Sequence, residues 1–191
     1  MFKVEQHGVN RGQGRQHNQG LRHGYGIVDI EDLHSGVEYL VREGHVDPDR
    51  VGMWGWSGGG TSTLLTLTRS KELRAGISVA PVTDWRFYDS IYTERYLGMP
   101  RNDDGSPTDA YVRGNVLTYA DDLADPLLLI HGMADDNVLF TNSTRLFKVL
   151  QDGMIPFEMM TYPGKKHGIR GKDVRVHLFE MILAHFERYM A

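Results

Sequence analysis

The sequence contains no cysteine. Disulfides, thiolate metal sites and thiol nucleophiles are therefore excluded, while the compartment stays open, because proteins on either side of a membrane can lack cysteine. No apolar run approaches the ~20 residues that cross a bilayer, and residues 1–15 lack the apolar middle of a secretory signal peptide. Positive charge is not in excess either: 21 Lys and Arg stand against 25 Asp and Glu, a formal net charge of −4. Nucleic acid and anionic membrane both require concentrated basic surface, so neither is an expected partner. His-Glu-x-x-His and related ligand spacings are missing, so no metal and no cofactor is expected. There is no internal repeat and no low-complexity linker. What remains is the composition of an ordinary globular chain, 40% apolar and 24% charged over 191 residues, enough for one domain with a sizeable core.

Residues 1–26, rich in Gly, Asn, Gln, Arg and His, show little apolar periodicity and read as loop. From Ile27 to Glu43, Ile30, Leu33, Val37, Leu40 and Val41 recur at helical spacing, with Gly44 as a stop. Strands are predicted at 51–56, 75–80, 127–131 and 157–162, and helices at 59–70, 142–151 and 172–190. The last helix carries Leu178, Phe179, Ile182, Leu183 and Phe186 as a core stripe. Residues 81–123 form a long, aromatic-rich excursion. Strands alternating with helices indicate an α/β fold with a mostly parallel sheet covered on both faces.

The motif Gly55-Trp56-Ser57-Gly58-Gly59 follows a predicted strand and precedes a predicted helix. G-x-S-x-G in that context is a sharp strand-to-helix turn with the serine at its tip, the nucleophile elbow of an α/β-hydrolase. The backbone N–H of Gly58 is placed to donate to an oxyanion, and the helix N-terminus adds a favourable field. A serine nucleophile needs a base, and the base an orienting acid, in the chain order Ser, Asp/Glu, His. Asp135 and Asp136 follow the strand at 127–131, and pattern alone does not separate them. His167 follows the strand at 157–162. Both loops leave the carboxyl ends of their strands, on the sheet edge that presents Ser57. The other histidines fit less well. His7, His17, His23, His34 and His45 precede the serine. His177 and His185 fall within the last helix, as surface or packing residues. His131 ends a strand and is read as supporting the acid loop.

Four stretches together resemble the dipeptidyl peptidase IV branch of the prolyl oligopeptidase family: Gly55-Trp56-Ser57-Gly58-Gly59-Gly60, Ala80-Pro81-Val82-Thr83-Asp84-Trp85, Tyr88-Asp89-Ser90-Ile91-Tyr92-Thr93-Glu94-Arg95-Tyr96, and His131-Gly132-Met133-Ala134-Asp135-Asp136-Asn137-Val138. The resemblance runs from about Asn10 to the C-terminus, and the tyrosine-rich segment is specific to that branch. It implies a serine peptidase that cleaves after proline and releases N-terminal X-Pro dipeptides, with Ser57 as nucleophile, Asp135 as acid and His167 as base. It implies that Val82, Trp85, Tyr88, Tyr92 and Val138 line a pocket for the proline ring and that Asn137 bonds a substrate carbonyl. The expected partner is thus a peptide with proline near its N-terminus. A flat, aromatic-walled slot suits a pyrrolidine, which has no N–H to satisfy. The chain departs from its relatives at Gly58, where they often carry tyrosine.

Full-length relatives also have an N-terminal β-propeller and a longer hydrolase domain. The expectation is therefore a single catalytic domain over residues 1–191, truncated at its N-terminus and entered near Asn10–Arg15, without the propeller. A second oxyanion donor and the acids that grip the substrate amine are expected to lie outside it. The strand at 51–56 is then expected at a sheet edge, favouring a homo-oligomer. The resemblance favours a periplasmic or extracytoplasmic location, with the cytoplasm open. Alternative readings are an esterase or acylaminoacyl-peptidase of the same fold, and a non-catalytic interaction domain on a hydrolase scaffold.

Overall fold

Leu127-Leu128-Leu129-Ile130 is an unbroken apolar run, the pattern of a strand covered on both faces, and the strand that contains it is buried at every position. It is β3 (Leu127–Gly132) of a parallel sheet that also contains β1 (Gly52–Trp56), β2 (Ala75–Val79) and β4 (Glu158–Tyr162), in the spatial order β1-β2-β3-β4. The computed structural model describes residues 19–191. The reading of residues 1–18 as loop, and the entry point near Asn10–Arg15, lie outside the described residues.

The helices are α1 (Val28–Arg42), α2 (Gly58–Arg69), α3 (Ser90–Leu97), α4 (Asp109–Arg113), α5 (Thr141–Asp152) and α6 (Lys172–Met190). One core lies between the sheet and α2 and α5, where Leu64, Leu65 and Leu67 meet Leu127, Leu129, Leu146 and Leu150. A second lies on the opposite face, where Ile77, Val79, Leu128 and Ile130 meet Leu178 and Ile182 of α6. Parallel strands joined by helices on both faces place every strand's carboxyl end on one edge. The register aligns Trp56 with Val79, Val79 with Ile130, and Gly132 with Tyr162.

The α6 stripe differs from the sequence reading. Leu178, Ile182 and His185 are buried, whereas Phe179 and Leu183 are exposed. The reason is the position of β1 at the sheet's edge: Phe179 leans on Trp54 of β1, edge-to-face at 6.0 Å, and no further described strand covers either residue. The stripe of α1 is likewise only half-covered beyond Ile30. The 81–123 excursion resolves into α3, α4 and three short 3₁₀ turns that carry a third apolar cluster above the sheet's carboxyl edge.

Candidate active site

Ser57 joins β1 to α2 with φ 58° and ψ −120°. That is glycine's half of conformational space, and for a serine such backbone costs on the order of 1–3 kcal/mol unless its surroundings impose it. Here they do. The Ser57 N–H donates to Val79 O at 2.8 Å, and Ser57 O accepts from Thr61 N–H at 3.0 Å. Residue 55 must be glycine, because a Cβ there would lie 2.1 Å from Gly59 O. Gly58 begins α2, so its N–H has no intrahelical acceptor and is free for an anion.

The acid loop leaves β3. Asp135 is buried, and its Oδ1 accepts from the N–H groups of Asn137 (2.9 Å) and Val138 (3.0 Å). Its Oδ2 lies 2.7 Å from His167 Nδ1 and 3.1 Å from His131 Nε2. Asp136 turns outward to pair with Lys166; this ion pair lowers the Asp136 carboxyl and raises the Lys166 ammonium. Geometry thus separates two aspartates that spacing could not.

His131 is fully enclosed. Its Nε2 faces two acceptors, Asp135 Oδ2 and Val138 O (3.0 Å), so that nitrogen carries the proton, and Nδ1 accepts from Ser143 Oγ at 2.7 Å. Burial pushes its pKa down, against the pull of Asp135, which keeps the ring neutral as a prop under the acid.

The His167 loop is clamped from two sides. Ala134 N–H donates to Lys165 O at 3.0 Å, and the loops pass so close that a Cβ on Gly132 would meet Lys165 O at 2.3 Å. The Trp56 indole N–H donates to His167 O at 2.9 Å, tying the loop to the residue before Ser57. Arg175 of α6 donates to Gly168 O and Ile169 O and lies over the Trp56 ring. With Nδ1–H directed at Asp135, His167 Nε2 is left as an acceptor.

The residues expected to hold a proline ring also converge. Val82, Trp85 and Val138 are buried in one cluster, with Tyr88 and Tyr92 packed against it. Trp85 stacks on Tyr92 at 5.9 Å, and Tyr88 meets Tyr92 edge-to-face at 5.6 Å. Local caps set these rings: Asp84 Oδ1 accepts from Arg86 N–H at 3.0 Å, and Asp89 Oδ1 from Tyr92 N–H at 2.8 Å. Tyr88 O–H donates to Asn137 Oδ1 at 3.1 Å, joining this cluster to the acid loop. Burial raises the Tyr88 and Tyr92 phenols. Sequence reasoning missed Tyr25, which lies in a segment read as loop yet is buried against Trp85.

A parallel sheet with a strained serine at a strand–helix turn, and an aspartate–histidine pair on the adjoining loops, defines the α/β-hydrolase fold. The chain belongs to the prolyl oligopeptidase family of peptidases, whose model matches residues 4–191. It is similar to dipeptidyl peptidase 4 of Bos taurus, 38% identical over 163 residues, 84% of this chain and 21% of that protein. It is also similar to prolyl endopeptidase FAP of Homo sapiens, 38% identical over 156 residues, 81% of this chain and 20% of that one. Among solved structures, dipeptidyl peptidase 4 of Porphyromonas gingivalis matches with a TM-score of 0.86 at 35% identity, covering 93% of this chain and 25% of that chain. A puromycin-hydrolyzing peptidase of Mycobacterium tuberculosis matches with a TM-score of 0.86 at 29% identity, covering 97% and 29%. The chain therefore spans about a fifth of the length of the curated relatives it matches. No described helix is long and apolar enough to cross a membrane.

Proposed function

We propose that this chain is the catalytic domain of a serine peptidase that cleaves after proline and releases N-terminal X-Pro dipeptides, with Ser57, Asp135 and His167 as its triad. The observation that carries the reading is the placement of His167: Nδ1 bonds buried Asp135 at 2.7 Å while the same residue's carbonyl accepts from Trp56, one residue before the serine. In this reading His167 Nε2 takes the proton from Ser57 Oγ as that oxygen attacks the carbonyl carbon after proline. The oxyanion accepts from Gly58 N–H. The tetrahedral intermediate collapses, the amine leaves with the proton from His167, and water repeats the cycle on the acyl-enzyme. Trp85, Tyr88, Tyr92, Val82 and Val138 enclose the proline ring, and Asn137 donates its amide N–H to a substrate carbonyl. The partner is a peptide, and copies of the chain associate through β1, the outermost of the described strands on its side of the sheet.

The test uses the full-length protein. A fluorophosphonate labels Ser57 but not the Ser57→Ala variant, and Gly-Pro-nitroanilide is hydrolysed in preference to p-nitrophenyl acetate. Absence of labelling removes the triad; labelling with ester hydrolysis alone removes proline specificity and leaves an esterase.

A further inference from the structure

Tyr25 occupies a place in this site that none of the motif residues takes. It precedes α1, is 7% exposed, and meets Trp85 edge-to-face at 5.0 Å, with Tyr92 at 6.4 Å and Tyr96 at 5.8 Å. Its hydroxyl lies 2.9 Å from the point where a Cβ on Gly58 would stand. The ring therefore reaches from the aromatic cluster to the residue directly after the nucleophile, and fills space that a side chain at position 58 would need.

The segment that carries it is pinned to both neighbours. Toward α3, His23 N–H donates to Tyr96 O at 2.6 Å, and His23 Nδ1 lies 3.0 Å from Leu97 O. Toward α2, the Arg69 guanidinium donates to Gly26 O and Arg113 O. Gly26 N–H donates to buried Asp29 at 2.6 Å, and Ser62 Oγ lies 3.4 Å from that carboxylate and 3.1 Å from Gly58 O. Burial raises the Tyr25 phenol well above its ordinary value, so it stays a neutral ring with a hydroxyl and adds no charge beside the pocket.

Resting on the triad and pocket of the proposed function, we propose that Tyr25 is a specificity-determining residue. It closes the proline pocket on the side of the nucleophile elbow, in the volume left by Gly58. A pyrrolidine fills the pocket as far as this wall, whereas an alanine methyl does not. Loss of the ring therefore falls on proline selectively, through binding, and leaves Ser57 competent.

Gly-Pro-nitroanilide and Gly-Ala-nitroanilide hydrolysis by the full-length protein, together with fluorophosphonate labelling, tests this. In Tyr25→Leu, kcat/KM for the proline substrate falls about tenfold, mainly through KM, the alanine substrate changes less than about threefold, and labelling persists. Equal losses on both substrates with labelling retained overturn the proposal. A second pair of variants decides the matter if Tyr25→Leu does not fold. Gly58→Ala, which brings a Cβ against the hydroxyl, lowers proline turnover by about tenfold or more, and Tyr25→Phe in the same chain restores most of it. Failure of the double variant to recover refutes shared occupancy of that space. A wild-type protein that neither labels nor cleaves either substrate overturns the triad assignment instead, a result distinct from a lost proline-to-alanine ratio.

Discussion

Replacing Asp135 with asparagine tests the site at the point where its hydrogen bonds converge. In the native protein Oδ1 accepts from two backbone N–H groups, and Oδ2 faces two imidazoles. An asparagine has one acceptor oxygen. The N–H groups of Asn137 and Val138 are fixed donors, so the amide oxygen must take the Oδ1 position, which turns the NH₂ toward His167 Nδ1 and His131 Nε2. An N–H facing His167 Nδ1 requires that nitrogen to accept, and the imidazole proton moves to Nε2, the atom that takes the proton of Ser57 in the proposed mechanism. The base is lost while shape and packing are kept. The comparable exchange in a serine protease costs ~10⁴ in kcat, about 5.5 kcal/mol of transition-state stabilisation. We expect a loss of that size with Gly-Pro-nitroanilide on the full-length protein, with KM changed by less than about threefold. Asp136→Asn, altered at the exposed neighbour, retains activity within about twofold. A kcat for Asp135→Asn within about tenfold of wild type refutes the tautomer argument and the role of the pair with it.

Further outcomes follow from the same structure. Gly55→Ala forces a Cβ into Gly59 O and costs about 3 kcal/mol or more by urea denaturation, with loss of labelling; a wild-type midpoint would show that the elbow relaxes freely. Burial lowers the pKa of His131 and of His185. Below about pH 6.5 the unfolded chain therefore takes up protons at these positions that the folded chain does not. Stability falls as pH drops from about 7 toward those lowered folded values, and His185→Phe flattens the decline; an unchanged slope excludes His185 as a contributor. Asp29, raised by burial, acts in the opposite sense, its contribution being lost as pH rises through its folded pKa. Trp54, exposed on the outer strand beside Phe179, drives association of the isolated chain; a monodisperse monomer by light scattering would count against this, and Trp54→Lys reduces association if it holds.

Much of this protein is legible in one dimension. The apolar run at 127–130 specifies a central strand because hydrophobic burial depends on local pattern. The G-x-S-x-G turn is legible because Gly55 answers a steric demand made by Gly59, within five residues. The family resemblance rests on equally local strings. Other features depend on contacts that no window of sequence contains. Asp135 and Asp136 are chemically identical neighbours; only the direction in which the acid loop folds under His167 puts one in the interior and the other on Lys166. Phe179 and Leu183 share the helical spacing of core residues, yet remain exposed because no described strand lies beyond β1. Tyr25 lies between two glycines in a stretch without periodicity, and its place beside Gly58, thirty-three positions away, exists only after α2 and α3 have closed on it. Sequence by itself determined the four strands, the helices α1, α2, α5 and α6, and the turn and loops that carry Ser57, Asp135 and His167, because each is set by near neighbours. Tertiary structure decided which aspartate meets the histidine and that Tyr25 lies beside Gly58, because those outcomes depend on packing between segments distant in the chain.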